Sequence, residues 1–168
     1  MNIRRKMLLN LTLMLLLGSA KVYACSCITM PDVPVKAQVR SALKESTAVF
    51  VGKVKAFEYR KGTASAYLET LPKGVGYETL VVKFEVAQWW KRRLPRFIYL
   101  ETDQTKHSDG SAGFSSCDYQ FKEGETYLVY AYRKENELTT SACSRTSPLS
   151  KAAADIKLLG RGYRPAKT

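Results

Sequence analysis

The sequence predicts a mainly β domain, a small antiparallel barrel or sandwich with flanking helices. Five segments have the composition or alternation of β-strands, and no long helical segment separates them as it would in a β-α-β fold. All four cysteines follow an apolar leader, and an even number of cysteines in an exported chain favours two disulfides. We therefore expect one small β domain closed by disulfides.

The first 24 residues are typical of a secretory signal peptide. They have a basic start, an apolar stretch over 7–17 and a small-residue site over 22–24. The apolar stretch is shorter than the about 20 residues that a spanning helix needs. We expect cleavage after Ala24, a mature chain that begins at Cys25, no membrane span, and a secreted or periplasmic protein.

The chain is basic, with 27 Lys and Arg against 15 Asp and Glu. Four of the basic residues and none of the acidic ones lie in the leader, so the formal charge of +12 becomes +8 in the mature chain. Such an excess favours acidic partners without specifying a fold. We expect a monomer with one domain over 25–160 and a loose basic tail over 161–168.

The elements follow from local patterns. Pro31 and Pro34 favour an extended start, after which apolar residues at helical spacing over 35–43 predict a short amphipathic helix. Strands are predicted over 47–59, 80–87, 96–102, 127–132 and 137–140, the last after a Glu135-Asn136 turn, with a long loop or hairpin over 60–77. Gly52 inside the first strand indicates a bulge or tight bend.

A second helix is predicted near the C-terminus. Ser147 is placed to cap it, Pro148 suits its first position and Gly160 marks its end. Its apolar face would consist of Leu149, Ala152, Ala153, Ile156 and Leu159.

Four cysteines, Cys25, Cys27, Cys117 and Cys143, allow three pairings. A bridge between Cys25 and Cys27 would strain an extended dipeptide, so we favour two long-range bridges that reach back to the N-terminus. Such bridges would fasten an otherwise mobile terminus to two parts of the domain.

Enzymatic signatures are absent from the sequence. It lacks the usual hydrolase, phosphate-loop and HExxH metalloprotease motifs. The one histidine, His107, lies in the polar stretch 103–113, where we expect a solvated loop residue. We therefore expect no catalytic residues and no cofactor.

Trp89-Trp90-Lys91-Arg92-Arg93 mixes aromatic and basic residues. One hypothesis is a polyanion patch formed by Lys91, Arg92 and Arg93. The favoured interpretation is a strand that turns one Trp inward, leaves the other exposed and ends in a solvated turn. We expect no nucleic acid partner.

Cys25-Ser26-Cys27 has three possible roles: structural disulfides, thiol exchange, or metal chelation by the mature terminus. The α-amine and carbonyl of one residue form a five-membered chelate that can ligate a metal held by another protein. An α-amine has a pKa of about 7.7 to 8.0, so its deprotonation costs only about 1 kcal/mol at neutral pH.

The chain resembles the netrin-like module of the tissue inhibitors of metalloproteinases over most of its mature length. The matching segments are Cys25-x-Cys27, Ala48-Val49-Phe50-Val51-Gly52-Lys53-Val54, Cys117 followed by Phe121-x-x-Gly124-x-x-Tyr127-Leu128-Val129-Tyr130-Ala131, and Leu138 to Cys143 with Ser144-Arg145-Thr146, Leu149, Ala152, Asp155 and Leu159 beyond.

This resemblance implies an OB-like five-stranded antiparallel barrel with flanking helices, and disulfides Cys25–Cys117 and Cys27–Cys143. It also implies inhibition of a zinc metalloproteinase. The amine and carbonyl of Cys25 would bind the target's zinc, the Ser26 side chain would enter the specificity pocket, and Phe114, Ser115 and Ser116 would lie beside this wedge.

Three alternatives stay open. The chain could be a non-inhibitory extracytoplasmic module that binds polyanions or a protein partner. It could be a lipoprotein acylated at Cys25, which would leave Cys117 unpaired, or a thiol oxidoreductase.

Overall fold

The computed structural model describes residues 25–27, 32–61, 76–134 and 136–166. They form a mainly β fold with seven antiparallel strands and two short helices. The strands are β1 (Ala48–Lys61), β2 (Tyr77–Lys91), β3 (Phe97–His107), β4 (Ala112–Gly113), β5 (Thr126–Lys134), β6 (Glu137–Thr139) and β7 (Ser147–Pro148). The helices are α1 (Val35–Glu45) and α2 (Ala153–Leu159).

The sheet runs in the order β4-β3-β2-β1-β5-β6, and β7 pairs with β5. In the described part of the chain, hydrogen bonds do not close this sheet into a barrel. Its ends nevertheless approach each other, because β3 packs against β6 and Lys134 of β5 forms a 2.6 Å ion pair with Asp103 of β3. The expected five-stranded barrel is thus an open, curled sheet in which two of the seven strands are very short.

β1 is central because it pairs with β2 on one side and with β5 on the other. Its first five residues are buried, as expected for a strand covered on both faces. The predicted bulge at Gly52 is confirmed, since the register with β2 shifts between Val51 and Gly52.

Two apolar clusters lie on opposite faces of the sheet. The larger, which we call the main cluster, contains Ala48, Phe50, Val54, Val82, Phe84, Val86, Leu94, Ile98, Leu100, Tyr127, Val129 and Ala131. The second, the helix-side cluster, contains Val49, Val51, Leu128, Tyr130 and Ala152, and residues of α1 and α2 cover it. The alternation of β1 and β5 therefore separates two cores.

Several strand predictions need adjustment. Val81 of β2 is buried, and β3 extends beyond its predicted end at residue 102 to His107, because β2 continues to pair with it as far as Tyr77. The predicted hairpin is supported at its base, where Lys61 pairs with Glu78, while residues 62–75 lie outside the described residues.

Helix α1 is confirmed and buries Val39. The C-terminal helix begins later than predicted, because Ser147 and Pro148 pair with β5 and a 3-10 turn over Leu149–Lys151 follows. The expected Ser147 cap is therefore wrong, and Leu149 is exposed. Gly160 does end α2, with a φ of 71° that favours glycine.

The C-terminal segment is attached to the sheet at Tyr163. The backbone of Tyr163 forms two 2.8 Å hydrogen bonds with Trp89, which add a bridge to the end of β2. The predicted signal peptide lies outside the described residues. Within the described ranges, no helix combines the length and apolar character that crossing a membrane requires.

Candidate functional site at the N-terminal cysteines

Two loops receive the N-terminal cysteines. Cys117 lies between β4 and β5, and Cys143 follows β6. These loops are joined to each other, since Ala142 N donates to Cys117 O at 2.8 Å and Asp118 forms a bridge with Ser141. The N-terminus is therefore attached to one connected support rather than to two independent loops.

The structure joins Cys25 to Cys117 and Cys27 to Cys143, with Cα–Cα distances of 5.1 and 5.2 Å. This is the pairing that the resemblance implies. The two bridges also touch, because the sulfurs of Cys25 and Cys143 lie 3.7 Å apart. Neither of these sulfurs carries a proton, so this is a van der Waals contact and not a hydrogen bond.

All four cysteines are oxidised. The sulfurs of Cys25, Cys27 and Cys143 lie within 4.8 Å of one another, yet disulfide sulfurs are neither thiolate ligands nor nucleophiles. The bridge of Cys25 also occupies the atom that a lipid would modify. As bridged, none of the four sulfurs is a free thiol, so the atoms of Cys25 that remain able to bind a metal are those of its main chain.

Ser26 stands exposed between the two bridged cysteines. Phe114 is 80% exposed, which is unusual for a phenylalanine, and it lies three residues before Cys117. Ser115 begins the turn into Cys117, since its Oγ accepts from Cys117 N at 3.2 Å and its carbonyl accepts from Asp118 N at 3.0 Å. The disulfide of Cys117 thus places the Phe114 loop near Cys25.

Asp118 connects this loop to β3. It is buried, and Gln104 Nε2 donates to its carboxylate at 3.0 Å. Burial raises the pKa of Asp118 above its ordinary value, because desolvation penalises the charged form. The loop therefore rests on a polar contact inside the fold.

The Cys27–Cys143 disulfide lies next to a polar network that the sequence did not lead us to predict. Arg145, two residues after Cys143, donates from Nη2 and Nε to the two carboxylate oxygens of Asp155 at 2.7 and 2.9 Å. Its Nη1 donates to Gln38 Oε1 at 2.7 Å, and Tyr130 Oη donates to Asp155 at 3.0 Å. One guanidinium thereby connects the Cys143 loop to both helices.

The surroundings of Arg145 and Tyr130 favour the protonated form of both side chains. Hydrogen bonding to Asp155 raises the pKa of Arg145, and burial raises the pKa of Tyr130. Both groups therefore stay protonated, so the network keeps its hydrogen bonds at physiological pH. Arg145 and Asp155 belong to the resemblance quoted above, but sequence spacing alone does not show that they form a pair.

The hydroxyl groups of Thr140 and Thr146 attach the Cys143 loop to the backbone of β5. Thr140 Oγ1 donates to Tyr130 O at 3.0 Å, Thr146 Oγ1 accepts from Tyr130 N at 3.0 Å, and the two hydroxyls lie 2.8 Å apart. These bonds satisfy the backbone of Tyr130 on the edge of β5 that faces away from β1, between the residues that pair with β6 and those that pair with β7.

In the hypothetical polyanion patch, Lys91 contacts the end of α1. Its ammonium group is half-buried and donates to the carbonyls of Leu43 and Lys44 at 2.8 and 2.7 Å, where it satisfies the C-terminal end of α1. Arg92 and Arg93 are exposed. The patch of three consecutive cations therefore contains two that face solvent.

The expectation for the two tryptophans is half right. Trp89 packs on the main cluster and Trp90 on the helix-side cluster, as strand alternation requires. Both are half-buried, however, because the chain after α2 covers Trp90 and its indole N–H donates to Gly160 O at 2.9 Å.

His107 is not a solvated loop residue. It is 7% exposed at the end of β3, its backbone N–H donates to Ser111 O at 2.9 Å, and its Nε2 lies 3.3 Å from Thr105 Oγ1. The longer β3 explains the burial. These contacts make His107 part of a strand end.

No protein-family model matches the chain, and no curated protein matches it either. Membership of the metalloproteinase-inhibitor family stays a prediction that depends on the residues quoted above.

Proposed function

We propose that the mature chain is an extracytoplasmic inhibitor of zinc metalloendopeptidases with a single netrin-like domain. Removal of the leader after Ala24 would free the α-amine of Cys25. That amine and the carbonyl of Cys25 would chelate the zinc of the target enzyme and displace the water that would otherwise attack the substrate.

One observation carries this proposal. Cys25 and Cys27 are held by two touching disulfides on two joined loops, while Ser26 between them is exposed. Such a segment is ordered before it meets an enzyme, so binding does not incur the entropy cost of ordering a flexible peptide. Rigidity matters here because a chelating terminus must present two atoms in a fixed geometry.

The neighbouring surface supports the same proposal. The exposed ring of Phe114 offers apolar area beside the terminus, and an exposed aromatic residue of this kind is common at the centre of protein interfaces. Ser26, with a short polar side chain, would enter the specificity pocket. The two disulfides are also typical of an oxidising, extracytoplasmic compartment.

The decisive experiment compares three proteins with defined termini. The first begins at Cys25, the second carries one added alanine before Cys25, and the third carries one added alanine after Thr168 as a matched control. Each is titrated against a panel of zinc metalloendopeptidases after mass spectrometry of its N-terminus.

We expect inhibition by the first and third proteins, and inhibition at least about 100-fold weaker by the second, equal to about 2.8 kcal/mol. The reason is that an amide nitrogen at Cys25 has no lone pair available for zinc. Equal inhibition by all three proteins, no inhibition by any, or natural processing at a residue other than Cys25 would overturn the proposal.

A further inference from the structure

Two segments without acidic residues meet at the end of β2. They are 88–93 and 160–164, separated by almost half of the chain. Trp89 N donates to Tyr163 O, and Tyr163 N donates to Trp89 O, both at 2.8 Å. The pairing therefore brings two groups of basic residues to one place.

The approach of the two segments is close. A Cβ at Gly162 would lie 2.9 Å from Trp89 O, and Gly160 O accepts from the Trp90 indole. Arg161, which stands between these glycines, is therefore held beside the strand end. Arg92 and Arg93 lie within three residues of Trp90, which is at most about 11 Å along the chain.

Four exposed arginines surround this junction: Arg92, Arg93, Arg161 and Arg164. We call them the arginine patch. Among the residues that the structure describes, none of the four pairs with a carboxylate. Lys91 is not included because its ammonium group binds α1.

An aromatic ring lies at the centre of the patch. Tyr163 stacks on Trp89 with ring centroids 4.7 Å apart and an angle of 25° between the planes. Tyr163 is nevertheless 62% exposed, so one face of its ring rests on Trp89 and the other faces solvent. A flat apolar surface is thus flanked by guanidinium groups.

We propose that the arginine patch binds a linear acidic polysaccharide. Guanidinium forks bind sulfate and carboxylate groups in a bidentate manner, and the open face of Tyr163 can pack against the apolar face of a sugar ring. Disulfides place the protein where extracellular polysaccharides, rather than nucleic acids, are the common polyanions. Membrane insertion needs a broad apolar face, which one ring among four cations does not provide. This inference does not depend on inhibition by Cys25.

The test measures retention on immobilised heparin and on a carboxylated polysaccharide such as polygalacturonate over a salt gradient. Two double variants, R92S/R93S and R161S/R164S, each remove two charges. The matched control, K61S/K106S, removes two exposed charges next to Glu78, at the opposite end of the β2 ladder.

We expect each arginine variant to bind at least one of the two polymers about tenfold more weakly and to elute at lower salt, while the control changes binding by less than about threefold. Replacement of all four arginines by lysine should also weaken binding, because lysine keeps the charge but not the fork. Y163F should bind as the parent does, and Y163A more weakly at a temperature where thermal unfolding shows that this variant is still folded.

Other results would overturn the proposal. Equal loss in the control would show that net charge, not this surface, governs retention. Retention of neither polymer by the parent protein would remove the ligand class. Tighter binding to phosphatidylcholine vesicles that contain phosphatidylglycerol, or to duplex DNA, would assign the patch to a different polyanion.

Discussion

At the scale of single residues, the pair of Arg145 and Asp155 has the largest consequences. Asp155 has only 10% of its side chain exposed and accepts three hydrogen bonds, from Arg145 and Tyr130. A buried carboxylate with this many donors fixes the positions of the side chains that donate to it. Arg145 in turn lies two residues from the cysteine that anchors Cys27.

Asp155→Asn should therefore destabilise the protein by about 2 to 4 kcal/mol, because it leaves a half-buried guanidinium without its counter-ion. Asp103→Asn is the control, since it breaks an equally short ion pair, with Lys134, whose side chains are 41% and 54% exposed. That change should cost less than about 1 kcal/mol. Urea unfolding measures both, and equal losses would contradict the importance of the Asp155 network.

At the scale of elements, β1 contributes residues to both apolar clusters, and Gly52 is a position where its packing is tight. Gly52 lies at a register shift, and a Cβ there would be 3.0 Å from Phe50 and 3.2 Å from Phe84. Those two rings are fully buried and meet edge to face at 5.6 Å. Neither ring has room to move without disturbing the main cluster.

Gly52→Ala should accordingly cost about 1 to 3 kcal/mol through overpacking. Gly76→Ala provides the comparison, because a Cβ there meets nothing within 4 Å. We expect that variant to stay within about 0.5 kcal/mol of the parent protein. Thermal unfolding of the two variants tests the difference, and a stable Gly52→Ala protein would show that the rings can rearrange.

At the scale of the whole molecule, the two disulfides act as one unit. Their sequence separations are 92 and 116 residues, so each alone would close a long loop. With one bridge in place, however, the other closes only an effective loop of about 28 residues, which runs between the two loop cysteines and through Cys25 to Cys27. Each bridge therefore closes the same effective loop of about 28 residues when the other bridge is already formed.

We expect C25S/C117S and C27S/C143S to lose about the same stability, about 3 to 4 kcal/mol each, in the chain-entropy account. Removal of both bridges should cost slightly more than the sum of these losses, because the last bridge closes a longer loop. Denaturant unfolding of the three variants measures this. A cost for removing both bridges that equals or falls below the sum of the two single losses would contradict the coupled description.

Local patterns determined the elements. The helical spacing that predicted α1 depends on residues three or four positions apart. The alternation that predicted β1, β2 and β5 depends on residues two positions apart. An apolar face with one of these periods becomes buried whichever element it packs against. These predictions therefore did not require knowing which elements lie next to the segment in the fold. The bulge at Gly52 and the end of α2 at Gly160 were visible for the same reason.

Contacts between distant segments decided the rest. The sequence shows Lys91 as one of three cations, yet its role depends on the end of α1, 48 residues away. Likewise Tyr163 is held by Trp89 and Asp155 by Arg145, while His107 is buried because β2 is long enough to pair with it. A polar group's burial and partners depend on which backbone or side-chain atoms the fold brings within about 3 Å, and no periodicity in the chain encodes that.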